Sequence, residues 1–220
     1  MSAEDVLSDE LGHHYLSEFP YVTAPHQDYL QNICFNCYAD KKVAALRCSK
    51  CKEVYYCSVA CQVEDWKNGP HSYECGIFAD LENSVRVKFR KDEDCSLQCD
   101  VRMAARLLAR KKIDDGCPTE TYYSGYPDGF NERKLADMAS YHNEIKDSVV
   151  QRKWELFKNV YMKKSSFFND VPYETFKECV GKIRANSFAI QSSELYHEGA
   201  LIGKGFYLQS SRYIIKESMK

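Results

Sequence analysis

The sequence predicts an α+β fold: a small cysteine-rich metal module, then a mainly helical region, then a short, incomplete set of strands. Three observations predict it. Seven of the 11 cysteines crowd into residues 34–75. Apolar residues then recur at three- and four-residue steps through much of residues 76–182, and from Asn186 short β-rich runs alternate with glycine turns. The expected division is an arm over 1–33, the metal module over 34–75, the helical region over 76–182, and strands with a tail over 183–220.

Composition narrows the function classes. Hydrophobic residues are 44% and charged residues 28%, a balance that favours a packed globular chain over a disordered one. A net charge of -2 supplies no global field for nucleic acid or an acidic membrane, so neither is the expected partner. The first 14 residues are acidic and carry no apolar leader segment. No run approaches the roughly 18 apolar residues of a spanning helix. Residence in the nucleus, the cytoplasm or both is expected, where thiols stay reduced and clustered cysteines point to metal. An odd cysteine count also argues against a complete disulfide framework.

The arm holds one β-like run, Glu18-Phe19-Pro20-Tyr21-Val22. In the metal module, four ligand pairs follow: Cys34 and Cys37, Cys48 and Cys51, Cys57 and Cys61, His71 and Cys75. A two-residue gap lets a tight turn aim two thiolates at one ion, and a three-residue gap puts two ligands on one face of a helical turn. Tetrahedral zinc takes four ligands, so eight make two closed sites, structural rather than catalytic. Only Val43, Ala44, Leu46, Tyr55, Tyr56 and Trp66 could pack between them. Zinc, which contributes about 10–16 kcal/mol in small fingers, is expected to carry the module's fold.

Beyond the module, Val101, Ala105 and Leu108 give one helical stripe. Leu135, Met138, His142, Ile145 and Val149 predict a second helix, with His142 in a core or boundary position. Val150, Trp154, Phe157 and Tyr161 predict a third. Asp170 and Pro172 mark a helix start, with Phe176, Val180 and Ile183 on its buried face. Gly116 to Gly129 is a loop. Cys95, Cys99, Cys117 and Cys179 have no partner pair and are expected to be free thiols. Strands after residue 183 would form an incomplete sheet with exposed edges, an aggregation liability.

The ligand series, with Tyr55-Tyr56-Cys57-Ser58, Gln62 and Trp66 between its members, resembles the MYND zinc finger. That resemblance implies interleaved, cross-braced sites: Cys34, Cys37, Cys57 and Cys61 on one ion, and Cys48, Cys51, His71 and Cys75 on the other. It also implies protein partners, including proline-rich peptides and chromatin regulators, with Ser49, Gln62 and Trp66 on the peptide groove. The plainer alternative is that Trp66 packs the small helix onto the zinc core.

The flanks are similar to the SMYD family of lysine methyltransferases, in which a MYND finger interrupts a SET domain. The similarity rests on Glu18 to Val22, Val101 to Leu108, Tyr123-Ser124-Gly125-Tyr126 with Asn131, Asn186 to Ile190, and Gly203 to Tyr207. It implies that Tyr123 and Asn131 line a pocket for S-adenosylmethionine; the alternative for both is ordinary turn and packing chemistry. The family's Gly-rich first strand, its Asn-His-Ser-Cys segment, its catalytic tyrosine and its Cys-rich last zinc site have no counterpart here. Methyl transfer needs the amine aligned with the donor in a dry channel. The expectation is therefore an interaction protein truncated before the SET catalytic core, with no catalytic residue assigned. S-adenosylmethionine-dependent protein (histone) lysine methylation is the alternative.

Overall fold

The computed structural model describes residues 20–26, 29–37, 46–80, 95–116, 134–192 and 200–208. Glu18 and Phe19, Cys117, and Tyr123 and Asn131 lie outside them. In chain order the elements are β1 (Val22–Pro25), β2 (Leu46–Arg47), β3 (Tyr55–Tyr56), α1 (Val59–Lys67), α2 (His71–Asp80), α3 (Cys95–Gly116), α4 (Asp147–Phe157), α5 (Tyr173–Asn186), β4 (Ser187–Ser192) and β5 (Ala200–Phe206). The fold is α+β.

Strands from opposite ends of the described chain build one sheet. Its order is β1-β5-β4, all antiparallel. β1 runs in register from Val22 opposite Phe206 to Pro25 opposite Gly203. A proline cannot donate to a ladder, which suits β1 to the sheet's edge. β4 follows α5 directly, and its ladder with β5 is interrupted between Ile190 and Gln191. A separate two-residue hairpin, β2 with β3, lies in the cysteine-rich segment.

α3 organises everything else. Residues 97–110 are buried on every side of this helix, so the stripe expected from Val101, Ala105 and Leu108 understates it. An all-round buried helix is normally apolar all round. This one carries Arg102, Arg106 and Arg110, each buried and four residues apart. The Cys99 thiol donates to the carbonyl of Pro25 at 3.4 Å, tying the helix to β1. On another side, Trp154, Phe157, Tyr161, Phe168 and Phe176 form an aromatic layer, with Phe157 and Phe176 ring centres 4.8 Å apart. α4 continues through a π-helical turn, Lys158–Met162, that carries Tyr161 into this layer.

One expected helix is absent. Leu135 to Val149 has helical spacing, yet the chain makes two 3-10 turns, Leu135–Asp137 and His142–Glu144, before α4 begins. Tyr141 between them is left-handed (φ 45°), and Met138 and Ile145 are extended. Side chains of α5 dock these turns through their carbonyls: Lys182 donates to Leu135 at 2.9 Å and Asn186 to Ala139 at 2.8 Å. Gly181 lets this segment press close, since a Cβ there would sit 2.2 Å from the Ser140 carbonyl oxygen. His142 is half-buried, its Nδ1 2.8 Å from Ser140 Oγ. Cys179 is a free thiol that burial pushes up to about 12.

Candidate metal centre

Local chemistry presents the ligands in pairs. Cys34 and Cys37 sit on a turn after Ile33, and Cys48 and Cys51 on a turn closing the β2–β3 hairpin. That second turn requires Lys52 in the left-handed region (φ 57°). The Arg47 guanidinium holds it there, with Nε donating to the Lys52 carbonyl at 2.9 Å and Nη2 at 2.5 Å. Cys57 precedes α1 and Cys61 is in its first turn; Ser58 between them caps the helix, its Oγ accepting from the Cys61 N–H at 3.2 Å. His71 and Cys75 lie one turn apart on α2.

Folding gathers these pairs into two groups: Cys34, Cys37, Cys57 and Cys61, and Cys48, Cys51, His71 and Cys75. Within each, the four ligand atoms all lie within 4.8 Å of one another. Cys37 and Cys57 sulfurs are 3.6 Å apart, Cys57 and Cys61 3.5 Å, and Cys48 and Cys75 3.7 Å. His71 turns Nε2 inward, 3.9 Å from Cys51 Sγ. A tetrahedron with Zn–S bonds of about 2.3 Å has edges near 3.8 Å, so both groups fit a zinc ion. The second group is buried throughout. Each group takes one pair from before the hairpin strand β3 and one from after it, so the two sites brace each other across the module.

The electrostatics suit a dication. Its hydrogen bond with Cys37 draws the Cys34 thiol down to about 4. Burial pushes Cys51, Cys57 and Cys75 up. Burial also opposes ionisation of Cys48, but the backbone N–H groups of Cys51 and Lys50 bring it below the ordinary value. Burial lowers His71 to about 4, keeping the imidazole neutral, as a metal ligand must be. Protons shared unevenly among packed thiols are what a zinc ion displaces outright.

Around the metal ligands lies a set of residues that spacing did not reveal. Arg106 of α3 donates from Nη1 to Glu74 at 2.8 Å and from Nη2 to Asp65 at 3.1 Å. All three are sealed off, at 2, 0 and 1% exposure. Tyr56 adds a third contact, its hydroxyl donating to Asp65 at 2.9 Å. Burial raises the Glu74 carboxyl, with Arg106 pulling the other way. Arg102 lies over the rings of Phe35 and Phe78, and Arg110 donates to the Asn68 carbonyl at 3.0 Å. Three arginines at successive turns of one helix thus grip the finger beside Cys34, between Cys61 and Cys75, and at the end of α1. Gly69 permits the grip, because a Cβ there would lie 2.3 Å from Asp65 Oδ1. The one sequence signal was an arginine every fourth residue in an otherwise apolar run.

One expectation changes accordingly. The module does not rest on zinc and a few side chains: Phe35, Val54 and Tyr56, with Ile77 and Phe78 just beyond it, share one core with α3. Its acids are mostly hidden, since Glu53, Asp65 and Glu74 are buried. Among its described residues Arg47, Lys50, Lys52 and Lys67 are exposed, against Glu64.

Of the three residues expected on a peptide groove, Gln62 is half-buried and Trp66 47% exposed, one turn apart on α1. Trp66 is open to solvent, and its ring meets His71 edge-on at 5.9 Å, as packing against the zinc core requires. Ser49 is exposed on the turn between Cys48 and Cys51, a separate element.

Residues 34–75 match the family described as MYND finger. The chain carries a MYND finger. It is similar to "N-lysine methyltransferase SMYD2" of Gallus gallus, 27% identical over 173 residues, covering 77% of this chain and 34% of that one. The Homo sapiens protein of the same name is 26% identical over 177 residues, covering 78% and 34%. "Ubiquitin carboxyl-terminal hydrolase 19" of Arabidopsis thaliana is 38% identical over 71 residues, covering 32% of this chain and 10% of that protein. The chain thus spans about a third of the length of the SMYD2 relatives it matches. Among the described residues no helix is long and apolar enough to cross a membrane.

Proposed function

We propose that this chain is a protein-interaction module whose zinc finger takes proline-rich peptides through Trp66, Gln62 and Ser49. The observation that carries the reading is the half-exposed indole of Trp66, held edge-on by a zinc ligand and flanked by Gln62. A fixed aromatic plane suits the flat face of proline, and a neighbouring amide suits the peptide backbone. Exposed Arg47, Lys50, Lys52 and Lys67 favour partners with acidic flanks. We place it in the nucleus, the cytoplasm or both, with chromatin regulators among its partners.

The test is a fluorescence-anisotropy titration of a labelled proline-rich peptide into zinc-loaded protein. Trp66→Ala retains two zinc ions and loses about 30-fold in affinity, as central aromatic anchors do. Unchanged affinity removes Trp66 from the groove.

A second reading, an S-adenosylmethionine-dependent lysine methyltransferase, draws on the printed names of the SMYD2 relatives. The pairing of β1 with β5, on either side of the finger, favours a SET-like sheet interrupted by it. Tyr123 and Asn131 are its donor-pocket candidates. Calorimetric titration of S-adenosylmethionine decides: micromolar binding supports this reading, and no binding at two zinc ions per chain leaves the interaction module alone.

A further inference from the structure

The two ligand groups are alike in geometry and unlike in access. Cys34, Cys37, Cys57 and Cys61 form an outer site in which all but Cys34 are half-buried; Cys48, Cys51, His71 and Cys75 form an inner one, buried throughout. Of the nine thiols whose burial the structure describes, Cys37, Cys57 and Cys61 are the three that solvent reaches.

A zinc ligand must be deprotonated, so both sites hold their cysteines as thiolates. Sulfur spacing does not separate them either, with Cys37 and Cys57 3.6 Å apart and Cys48 and Cys75 3.7 Å. Access does, because an oxidant attacks the thiolate it can reach and a sealed one is inert. Within the outer site Cys57 is the hub, 3.6 Å from Cys37 and 3.5 Å from Cys61. Either gap can close to the roughly 2.05 Å of a disulfide. Cys37 is 20 positions away from Cys57, and Cys61 four. A bridge across the longer loop takes more freedom from the unfolded chain, and exchange among neighbouring thiols lets the more stable pairing accumulate. Joining Cys57 to Cys61 would also pull on the Ser58 cap between them, whose Oγ accepts from the Cys61 N–H at 3.2 Å.

We infer that the outer site is an oxidative modification site, at which a peroxide joins Cys37 to Cys57. The Cys57 thiolate attacks one peroxide oxygen, the O–O bond breaks, and the other oxygen leaves as hydroxide. The Cys37 thiolate then attacks the sulfenic sulfur of Cys57, forming the S–S bond and expelling a second hydroxide. Two protons from solvent convert both hydroxides to water, so two electrons have passed from the two sulfurs to the peroxide. Cys34 and Cys61, left as two ligands, no longer hold the outer ion. The new bond still ties the segment before β3 to the segment after it, so the brace persists and the inner site keeps its ion. A dithiol reductant, itself oxidised to a disulfide, returns both thiols, and the outer site takes up zinc again.

The experiment adds hydrogen peroxide in stepwise equivalents to the zinc-loaded full chain. Released zinc is read with a coloured chelator, and cysteines are mapped by alkylation and mass spectrometry. One zinc ion per chain leaves, a peptide linking Cys37 to Cys57 appears, and Cys48, Cys51 and Cys75 stay reduced. Dithiothreitol with added zinc restores two ions. Cys37→His keeps four zinc ligands, in the three-cysteine, one-histidine set of the inner site, but cannot form this bond; it loses its outer ion at least about tenfold more slowly. The mapping of the wild-type chain stands whether or not that variant folds. The inference fails if both ions leave together, if the inner cysteines oxidise first, or if the linked peptide joins Cys57 to Cys61. It fails equally if no zinc leaves at peroxide levels that oxidise free cysteine, or if Cys37→His, loaded with two ions, releases zinc as fast as wild type.

Discussion

Replacing Arg106 by leucine removes the one cation that touches both Asp65 and Glu74. Breaking a buried ion pair from one side costs about 3–5 kcal/mol, because the stranded charge has no water to return to. Here two carboxylates are stranded, but Tyr56 still donates to Asp65 and Arg102 still lowers the cost of ionising Glu74. About 4 kcal/mol is therefore the expected loss, which for a chain of this size lowers Tm by roughly 8–16 °C. The damage should reach the metal. Asp65 lies on α1, which carries Cys61, and Glu74 directly precedes Cys75 on α2. Residues that orient metal ligands typically govern affinity by about 10–100-fold. The assay pairs urea unfolding, followed by circular dichroism, with zinc transfer to a coloured chelator. Arg106→Leu should unfold at lower urea and surrender zinc at least tenfold faster. Wild-type zinc transfer together with a loss below about 1 kcal/mol would refute the view that α3 holds the finger's ligands in place.

Further outcomes follow from the same geometry. Cys48→Ala should lose more than one zinc ion and become protease-sensitive through the finger, since the sites brace each other; two retained ions and unchanged protease resistance would contradict cross-bracing. Gly69→Ala, by forcing a Cβ against Asp65, should cost about 1–3 kcal/mol in urea unfolding, and a neutral effect would mean that the turn after α1 yields freely. Burial holds His71 at about 4 against an ordinary 6.5. Its contribution is therefore complete above about pH 6.5 and disappears as pH falls towards 4. Zinc release measured across that window should rise with acidity, and a flat profile would deny His71 a ligand's role.

What the sequence disclosed was local. Four ligand pairs are visible because turns and helical steps fix short spacings. Which pairs share an ion depends on the fold joining Cys34 to Cys61 and Cys48 to Cys75, and spacing alone leaves that open. The helix expected over Leu135 to Val149 failed for the same reason. Its periodicity is real, but Lys182 and Asn186, nearly fifty positions on, bond to its carbonyls and dock the segment on α5 as turns. Arg102, Arg106 and Arg110 mislead most. Charges at four-residue spacing normally mark a solvated face, and here they mark the seam between finger and helix. Asp65 and Glu74 were indistinguishable in sequence from surface acids until that seam was visible.

The pairing of Val22 with Phe206 has a consequence for the order in which the protein is made. A chain emerging at about 5–20 residues per second presents β1 some 10–40 s before β5, its only ladder partner among the described residues, exists. The finger has no such wait: once Cys75 is out, all eight ligands are available. Metal capture can thus precede closure of the sheet, leaving β1 as an unpaired apolar strand on a nascent chain that already holds zinc.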